Sequence, residues 1–450
     1  MAPDVCIRGG TVVMPHGLCA VDVAIEDGTI VAIEASCARG KIEIDATGLH
    51  VFPGLIDPHV HFNEPGRTDW EGFASGSLAL AAGGGTCFFD MPLNSDPPLL
   101  DADAFQAKHA AARANSLTDF ALWGGLTPGN LDELKHLVEC GVIGFKAFMC
   151  DSGIPEFGRV DEAALRQGMR LAAASNRLVA VHAESETTTR RLTSELIEKG
   201  FCDWDSFLAS RPVEAEREAV EIALALSAET GCRLHIVHVS HPDVVAVIQQ
   251  ARDHAGLDVT CETCPHYLTF SSGVLPQVGA IAKCAPPLRD ADAVEGLWAT
   301  LRQGSIDWVA SDHSPCPPTM KQTDDVFAAW GGIAGVQSTL QVLLSHEPPL
   351  GLPEVSALTS GQAANRFDLK NKGKIELGRD ADLVLVALDA RFTLLREQLH
   401  DRHRLSPYVG LPFRGEVRRT LVRGRSVFVD GTGVGPPSGR LVTPEGIGDR

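Results

Sequence analysis

GLIDPHVHFNEPG, residues 54–66, combines a short apolar run, two histidines spaced two apart and a Pro-Gly turn. Successive side chains of an extended chain alternate faces, so His59 and His61 leave the same face, roughly 7 Å apart along the strand. Seven further apolar runs of strand length follow: TCFFDMP (86–92), DFALWGG (119–125), VIGFKAF (142–148), LVAVHAE (178–184), LHIVHVS (234–240), LDVTCET (257–263) and IDWVASD (306–312). Amphipathic stretches such as 163–175 and 213–231 lie between them, closing near a glycine or a polar turn. Eight such strand–helix units predict an α/β protein with a TIM (β/α)8 barrel over residues 53–370. No GxGxxG motif follows any of these runs, which removes the usual dinucleotide-binding alternative.

The chain ends have a different texture. VCIRGGTVV (5–13) and AVDVAIEDGTIVAIE (20–34) alternate apolar and polar residues, and Asp27-Gly28 is a two-residue hairpin signal. The same period of two returns in ADLVLVALD (381–389) and RRTLVRGRSVFVDG (418–431). Neither end alone offers enough strands to bury a face, so residues 1–52 and 371–450 are expected to pair into one composite β-sandwich domain flanking the barrel. The Gly/Pro-rich tail from Gly431 onward is expected to be loosely held.

At 450 residues, 44% hydrophobic and 22% charged, the composition is that of a globular chain and excludes a disordered scaffold. Lysine and arginine number 39 against 58 acidic residues, a formal charge of −19 that repels phosphate backbones and anionic membrane surfaces. Neither nucleic acid nor a membrane is expected as a partner, and no apolar run approaches the ~18 residues of a bilayer span. Twelve cysteines are scattered along the chain, and the start, MAPDVCIRGG, lacks a basic segment followed by an apolar one. Reduced thiols in a cytoplasmic protein are the expectation.

Several chemistry-bearing residues fall at predicted strand ends. Lys146 lies mid-strand in GFKAF, where an ammonium ion would cost several kcal/mol unless neutralised. A salt bridge is one answer. The other is a depressed pKa and a nucleophilic amine that captures carbon dioxide as a carbamate, an anion able to bridge two cations. His182, His238 and Asp312 end three further runs, and in a barrel the C-terminal strand ends form the face where active sites are built. His235 lies three residues from His238, so period two sends it toward the surrounding helices and a packing role. Four histidines, a lysine and an aspartate converging on one mouth make a nitrogen and oxygen donor set suited to zinc-like ions.

GLIDPHVHFNEPG, the strand lysine in GFKAF, the two later strand histidines and SDHSP together resemble the amidohydrolase superfamily. The nearest branch is that of the cyclic amidases, which holds dihydroorotase, hydantoinase or dihydropyrimidinase, and allantoinase. The resemblance spans nearly the whole chain. It implies two divalent metal ions, zinc or alternatively cobalt, manganese, nickel or iron. His59, His61 and Asp312 would hold the first and His182 and His238 the second, with Lys146 as the carboxylated bridge. It also implies a homotetramer and hydrolysis of a cyclic amide. Asp312 would act as the catalytic group, taking the proton from the metal-held hydroxide as it attacks and returning it to the departing ring nitrogen.

Dihydroorotase-like sequences resemble HVHLREPG here, with an arginine suited to gripping a carboxylate; this chain has Asn63, which suits an uncharged ureide. The surroundings of Asn63, together with MPLN, KCAPPLRD and AWGGIAG, resemble the allantoin-opening members of the branch most. Asn63, Asn94 and Cys284 are therefore the expected substrate contacts. Arg67 could swing in to supply a positive charge, His266 could line the mouth and His313 could orient Asp312. The loops 150–160 and 313–331 are the expected specificity surfaces. Cys261-Glu-Thr-Cys264 has CxxC spacing without a second pair, and structural thiols are the expectation there, as packing is for Trp70 and Trp330.

Overall fold

The computed structural model describes residues 2–444. Its centre is built from parallel strands at the eight predicted places: Leu55–Val60, Gly85–Asp90, Asp119–Leu122 continuing as Gly124–Gly125, Phe145–Phe148, Val179–His182, Leu234–Ile236, Val259–Thr263 and Trp308–Val309. They form two hydrogen-bonded sheets, one of three strands and one of six, rather than one unbroken ladder. The ladder stops at Trp123, whose indole N–H reaches across to Pro58 O at 3.0 Å. The last strand meets the first only through a bridge between Val60 and His313, with His61 N donating to His313 O at 2.8 Å. Two strands are shorter than their apolar runs because His238 (φ 40°) and Asp312 (φ 44°) turn the backbone into the left-handed region.

Helices fill the intervals. Glu162–Ala174 starts at Asp161 and Ala291–Arg302 at Asp290, each aspartate accepting the N–H of the third helical residue at 2.8 and 2.9 Å. Val213–Thr230 ends on Gly231 at φ 68°, a left-handed stop that glycine adopts without strain. Phe145, Val179, Leu234 and Val259 sit side by side in register and pack in the large core shared with the helices. Their neighbours in sequence, Lys146, Ala180, His235 and Thr260, are likewise in register and take the opposite, inner face. That inner face has its own apolar cluster, including Ile56, Phe89, Ala121, Ala180 and Trp308.

The two chain ends meet in a seven-stranded sheet. His50–Pro53 pairs antiparallel with Leu383–Thr393, which pairs with Pro412–Val422, so strands from residues 11–53 and 383–433 share one ladder. A second, four-stranded sheet comes from the N-terminal segment alone. Its hairpin turns at Asp27 (φ 49°) and Gly28 (φ 78°), as the Asp-Gly pair predicts. Val5, Val12, Val23 and Val51 pack with Ile375, Leu383 and Leu421, so both ends also share an apolar core.

The described part of the tail is fastened, against the expectation of a loose end. Phe120 N donates to Arg440 O at 3.0 Å, Val442 N donates to Phe120 O at 2.7 Å, and Arg440 N reaches Asp119 Oδ1 at 2.8 Å. Asp119 supplies the reason: its buried carboxylate needs donors, and the tail backbone is one of them. Residues 445–450 of the predicted tail lie outside the described residues. Among the described residues no helix is long and apolar enough to cross a membrane.

Lys372 joins the central strands to the composite sheet. Its buried ammonium donates to Asp382 Oδ2 at 2.6 Å, Asp119 Oδ2 at 2.8 Å and Asp380 Oδ2 at 3.1 Å, and Arg423 pairs with the same Asp119. K372M strips the cation from buried carboxylates and should cost about 3–5 kcal/mol. Urea denaturation should show a lower midpoint at an unchanged slope; an unmoved midpoint would mean that Arg423 alone neutralises the cluster.

Candidate active site

His59, His61, Asp312, His182 and His238 all line one open cavity of about 380 Å³, and Lys146 lies fully buried on the inner face of its strand. His59 Nε2 lies 3.1 Å and His61 Nε2 3.4 Å from the same oxygen, Asp312 Oδ1. The rings of His59 and His238 are 5.5 Å apart and those of His182 and His238 4.6 Å. The sequence therefore puts its four histidines and the aspartate on one surface. Two of them depend on backbone turns: His238 and Asp312 reach the cavity from left-handed residues just past their strands.

Asp312 is held in place from below. Ser311 N lies 3.1 and 3.3 Å from the two Asp57 carboxylate oxygens, and His59 N lies 3.2 Å from the nearer one. Asp57 thus ties the first strand to the turn that carries Asp312. Burial raises the Asp57 pKa to about 6, against the hydrogen bonds from Ser311 and His59.

Sequence reasoning missed Glu262. This wholly buried carboxylate is bonded to His59 Nδ1 at 2.5 Å and accepts from Trp308 Nε1 at 2.7 Å, and His235 Nε2 lies 3.1 Å away. The contact with Nδ1 fixes the ring so that Nε2 points at Asp312 and the cavity, where it would offer its lone pair to an ion that displaces the Nε2 proton. The assignment of His235 to the helical side is corrected: it stacks on Trp308 at 4.4 Å and shares Glu262 with His59. Period two fails because His238 lies beyond the strand end, so both histidines face inward. The signal for Glu262 in the sequence is an acid on the inner face of a predicted buried strand, inside the Cys261–Cys264 spacing.

Charge follows from these contacts. Burial opposes a proton on His59, but Asp312 and Glu262 outweigh it and carry its pKa up to about 9. Burial lowers His61 and His182 and takes His238 well below the usual imidazole range. Burial would raise Asp312, yet His59 and the other histidines hold it well below the usual carboxylate range. Burial brings Lys146 down to about 8 despite the opposing pull of Glu262 and Asp312.

The remaining predicted residues separate. Asn94 and Cys284 line the cavity, and the Asn94 amide lies 3.3 Å from His61 Nδ1. Asn63 does not line it: its amide donates to Pro315 O at 3.3 Å from a wholly buried, left-handed residue. Arg67 is turned toward the loops, donating to Asn94 O at 3.3 Å and lying 3.6 Å from Glu156. His313 does not orient Asp312; its Nδ1 accepts from Gly335 N at 3.1 Å and its Nε2 faces Glu71 at 3.5 Å. His266 is fully buried and is not part of the cavity wall. Trp330 is a wall residue and packs edge-on against Trp70 at 4.9 Å. Segments of both expected loops, Asp151–Gly153 and Phe327–Gly331, contribute to the wall, as does Gly332 just beyond the second. Sequence reasoning also missed Arg211, another wall residue, which pairs with Glu184 at 2.5 Å; Glu184 in turn lies 2.8 Å from His182 Nε2.

The Amidohydrolase family model matches residues 50–427. The chain belongs to the amidohydrolase family. It is 54% identical to an allantoinase of Solibacter usitatus over 442 residues, covering 98% of this chain and 96% of that one. An allantoinase of Deinococcus radiodurans is 48% identical over 451 residues, covering 99% and 100%. Among solved structures, the L-hydantoinase (dihydropyrimidinase) from Arthrobacter aurescens superposes with a TM-score of 0.95 at 34% identity, covering 98% of this chain and 99% of that one.

Amidohydrolases generally use a binuclear metal centre, and the residues here fit one. Ligand atoms of His59, His61 and Asp312 lie within 4.8 Å of one another. Lys146 Nζ and His238 Nδ1 are buried without a hydrogen-bond partner among the described residues, polar atoms that a site of this kind would account for. The donors are imidazole, carboxylate and amine, matched to divalent ions of the zinc type.

E262Q keeps the shape and removes the anion behind His59. Affinity for divalent ions should fall about 10–100-fold, as for loss of a partner behind a ligating histidine. Competition with a chelator measures it; unchanged affinity would show that Glu262 only packs.

Proposed function

We propose that this amidohydrolase opens the five-membered ring of allantoin by adding water across the cyclic amide, giving allantoate. The observation that carries the reading is the meeting of His59, His61 and Asp312 at the cavity with His182 and His238 beside them. Near-full-length likeness to several allantoinases supports the choice of ring.

His59, His61 and Asp312 would hold one divalent ion and His182 and His238 the other, with Lys146 as a carbamate between them. Zinc is the first expectation and cobalt, manganese, nickel or iron the alternatives. When bound, the pair supplies a hydroxide nucleophile near neutral pH and polarises the amide carbonyl. The carbamate forms when the neutral Lys146 amine attacks carbon dioxide and releases one proton. Desolvation of Lys146 favours that neutral amine.

The chain's own groups do the rest. Asp312 takes the proton from the hydroxide as it attacks and gives it to the ring nitrogen as the carbon–nitrogen bond breaks, so an amine leaves rather than an amide anion. Glu262 and Asp57 keep His59 and the Asp312 turn in register during that transfer. Asn94 and Cys284 offer polar contacts for the ureide at the wall, and Asn63 acts by holding the Pro315 loop.

Residues 53–370 form, on this reading, a (β/α)8 barrel, and residues 1–52 with 371–450 a composite β-sandwich. A homotetramer in the cytoplasm completes the proposal. The alternative ring is a hydantoin, favoured by the likeness to hydantoinases among the solved structures.

A panel of allantoin, hydantoin, dihydrouracil and dihydroorotate on metal-reconstituted protein decides between them. Allantoin should turn over fastest; dihydroorotate above allantoin would reject the ureide reading. K146A should lower kcat by more than about 10²-fold, with short carboxylic acids restoring part of it in place of the carbamate. Full activity in K146A would remove the bridge from the mechanism.

A further inference from the structure

Four groups among the described residues bring three possible metal-ligand atoms within 4.8 Å of one another. The group of His59, His61 and Asp312 belongs to the site already described. In the group of Asp119, Asp380 and Asp382 the space is taken by the Lys372 ammonium. In the group of Cys150, His182 and Glu184 the Arg211 guanidinium is already bonded to Glu184 and Cys150. The remaining group, Cys264, His266 and Asp312, is filled by neither a lysine nor an arginine among its recorded contacts, and Asp312 pairs there only with His59 and His61.

The geometry is set by neighbouring strands. Val259–Thr263 and Trp308–Val309 pair in parallel, and the chain runs on from them into Cys264 and Asp312. His266 is the second residue of the short helix Pro265–Thr269. Cys264 and His266 are wholly buried, and neither ring nitrogen of His266 has a hydrogen-bond partner. An imidazole buried with both nitrogens unpaired costs about 1–3 kcal/mol per unsatisfied group, which a ligand at that place would recover. Asp312 also lines the open cavity, which gives an ion a way in.

We propose that Cys264 and His266, sharing Asp312 with the catalytic centre, form an additional, inhibitory site for a soft divalent cation such as cadmium or excess zinc. It rests on the reading of Asp312 as the proton carrier: an ion bound here engages that carboxylate and stops the transfer. On binding, the Cys264 S–H bond breaks, a sulfur–metal bond forms and one proton passes to solvent, with no change of oxidation state. Sulfur marks the site, since the residues expected to hold the two catalytic ions offer only nitrogen and oxygen.

The metal-loaded enzyme is titrated with cadmium while bound metal, ultraviolet sulfur-to-cadmium absorption and allantoin turnover are followed. The parent should retain an additional cadmium, gain the absorption and lose turnover in step. C264A should abolish that part of the absorption and raise the cadmium needed for half-inhibition about tenfold or more. H266Q should weaken binding with the absorption still visible, and serves if C264A fails to fold. C202A, which removes an exposed thiol, should change neither. The same absorption in C264A as in the parent, or cadmium inhibition of the parent without it, would overturn the proposal. An enzyme that retains the extra cadmium with its sulfur band but never opens allantoin would instead reject the assigned activity and leave the site standing.

Discussion

Glu262 is a buried negative charge, and the two groups bonded to it, His59 and Trp308, together with the adjacent His235 come from three different strands. Such a charge is tolerated only while every donor stays in place, because losing one leaves the desolvation cost unpaid. His59, His235 and Trp308 are thereby fixed relative to each other, and Trp308 lies in the strand that leads to Asp312. Asp57 is a second such tie, joining the first strand to the turn after the last through the Ser311 N–H. The cavity's ligand geometry is a consequence of two buried carboxylates beneath it.

Much of this architecture was legible in the residues. Eight apolar runs of strand length marked all the central parallel strands, and Lys146 stood out because a charge flanked by phenylalanines demands an explanation. His59 and His61 were readable from period two alone. What escaped was set by backbone exceptions: left-handed turns at His238 and Asp312 shorten their strands and reverse the facing of His235. The unbroken ladder expected for the strands is interrupted at Trp123, where an indole seeks Pro58 across the interior. Asn63 escaped for a similar reason, since its left-handed backbone aims the amide at Pro315.

Arg211 and Glu184 show a different limit. Glu184 ends a predicted strand, and its pKa is held at about 2 because Arg211 and His182 outweigh the effect of burial. Nothing local in the sequence pairs Glu184 with a residue 27 positions later; only the packed structure brings them together. Charged networks spanning separate elements are the part of a site that single-sequence patterns carry least.

The seven-stranded sheet bears on how the chain is made. His50–Pro53 has its antiparallel partner in Leu383–Thr393, more than three hundred residues downstream. During synthesis the amino-terminal strands must wait, one edge open, while all the intervening strand–helix units emerge and collapse around their own local contacts. Closure of that sheet is consequently a late event at the ribosome, and the Lys372 cluster, whose aspartates come from both regions, can only assemble with it. A nascent chain stalled before residue 383 would carry the whole catalytic constellation and still display an unpaired strand to other chains.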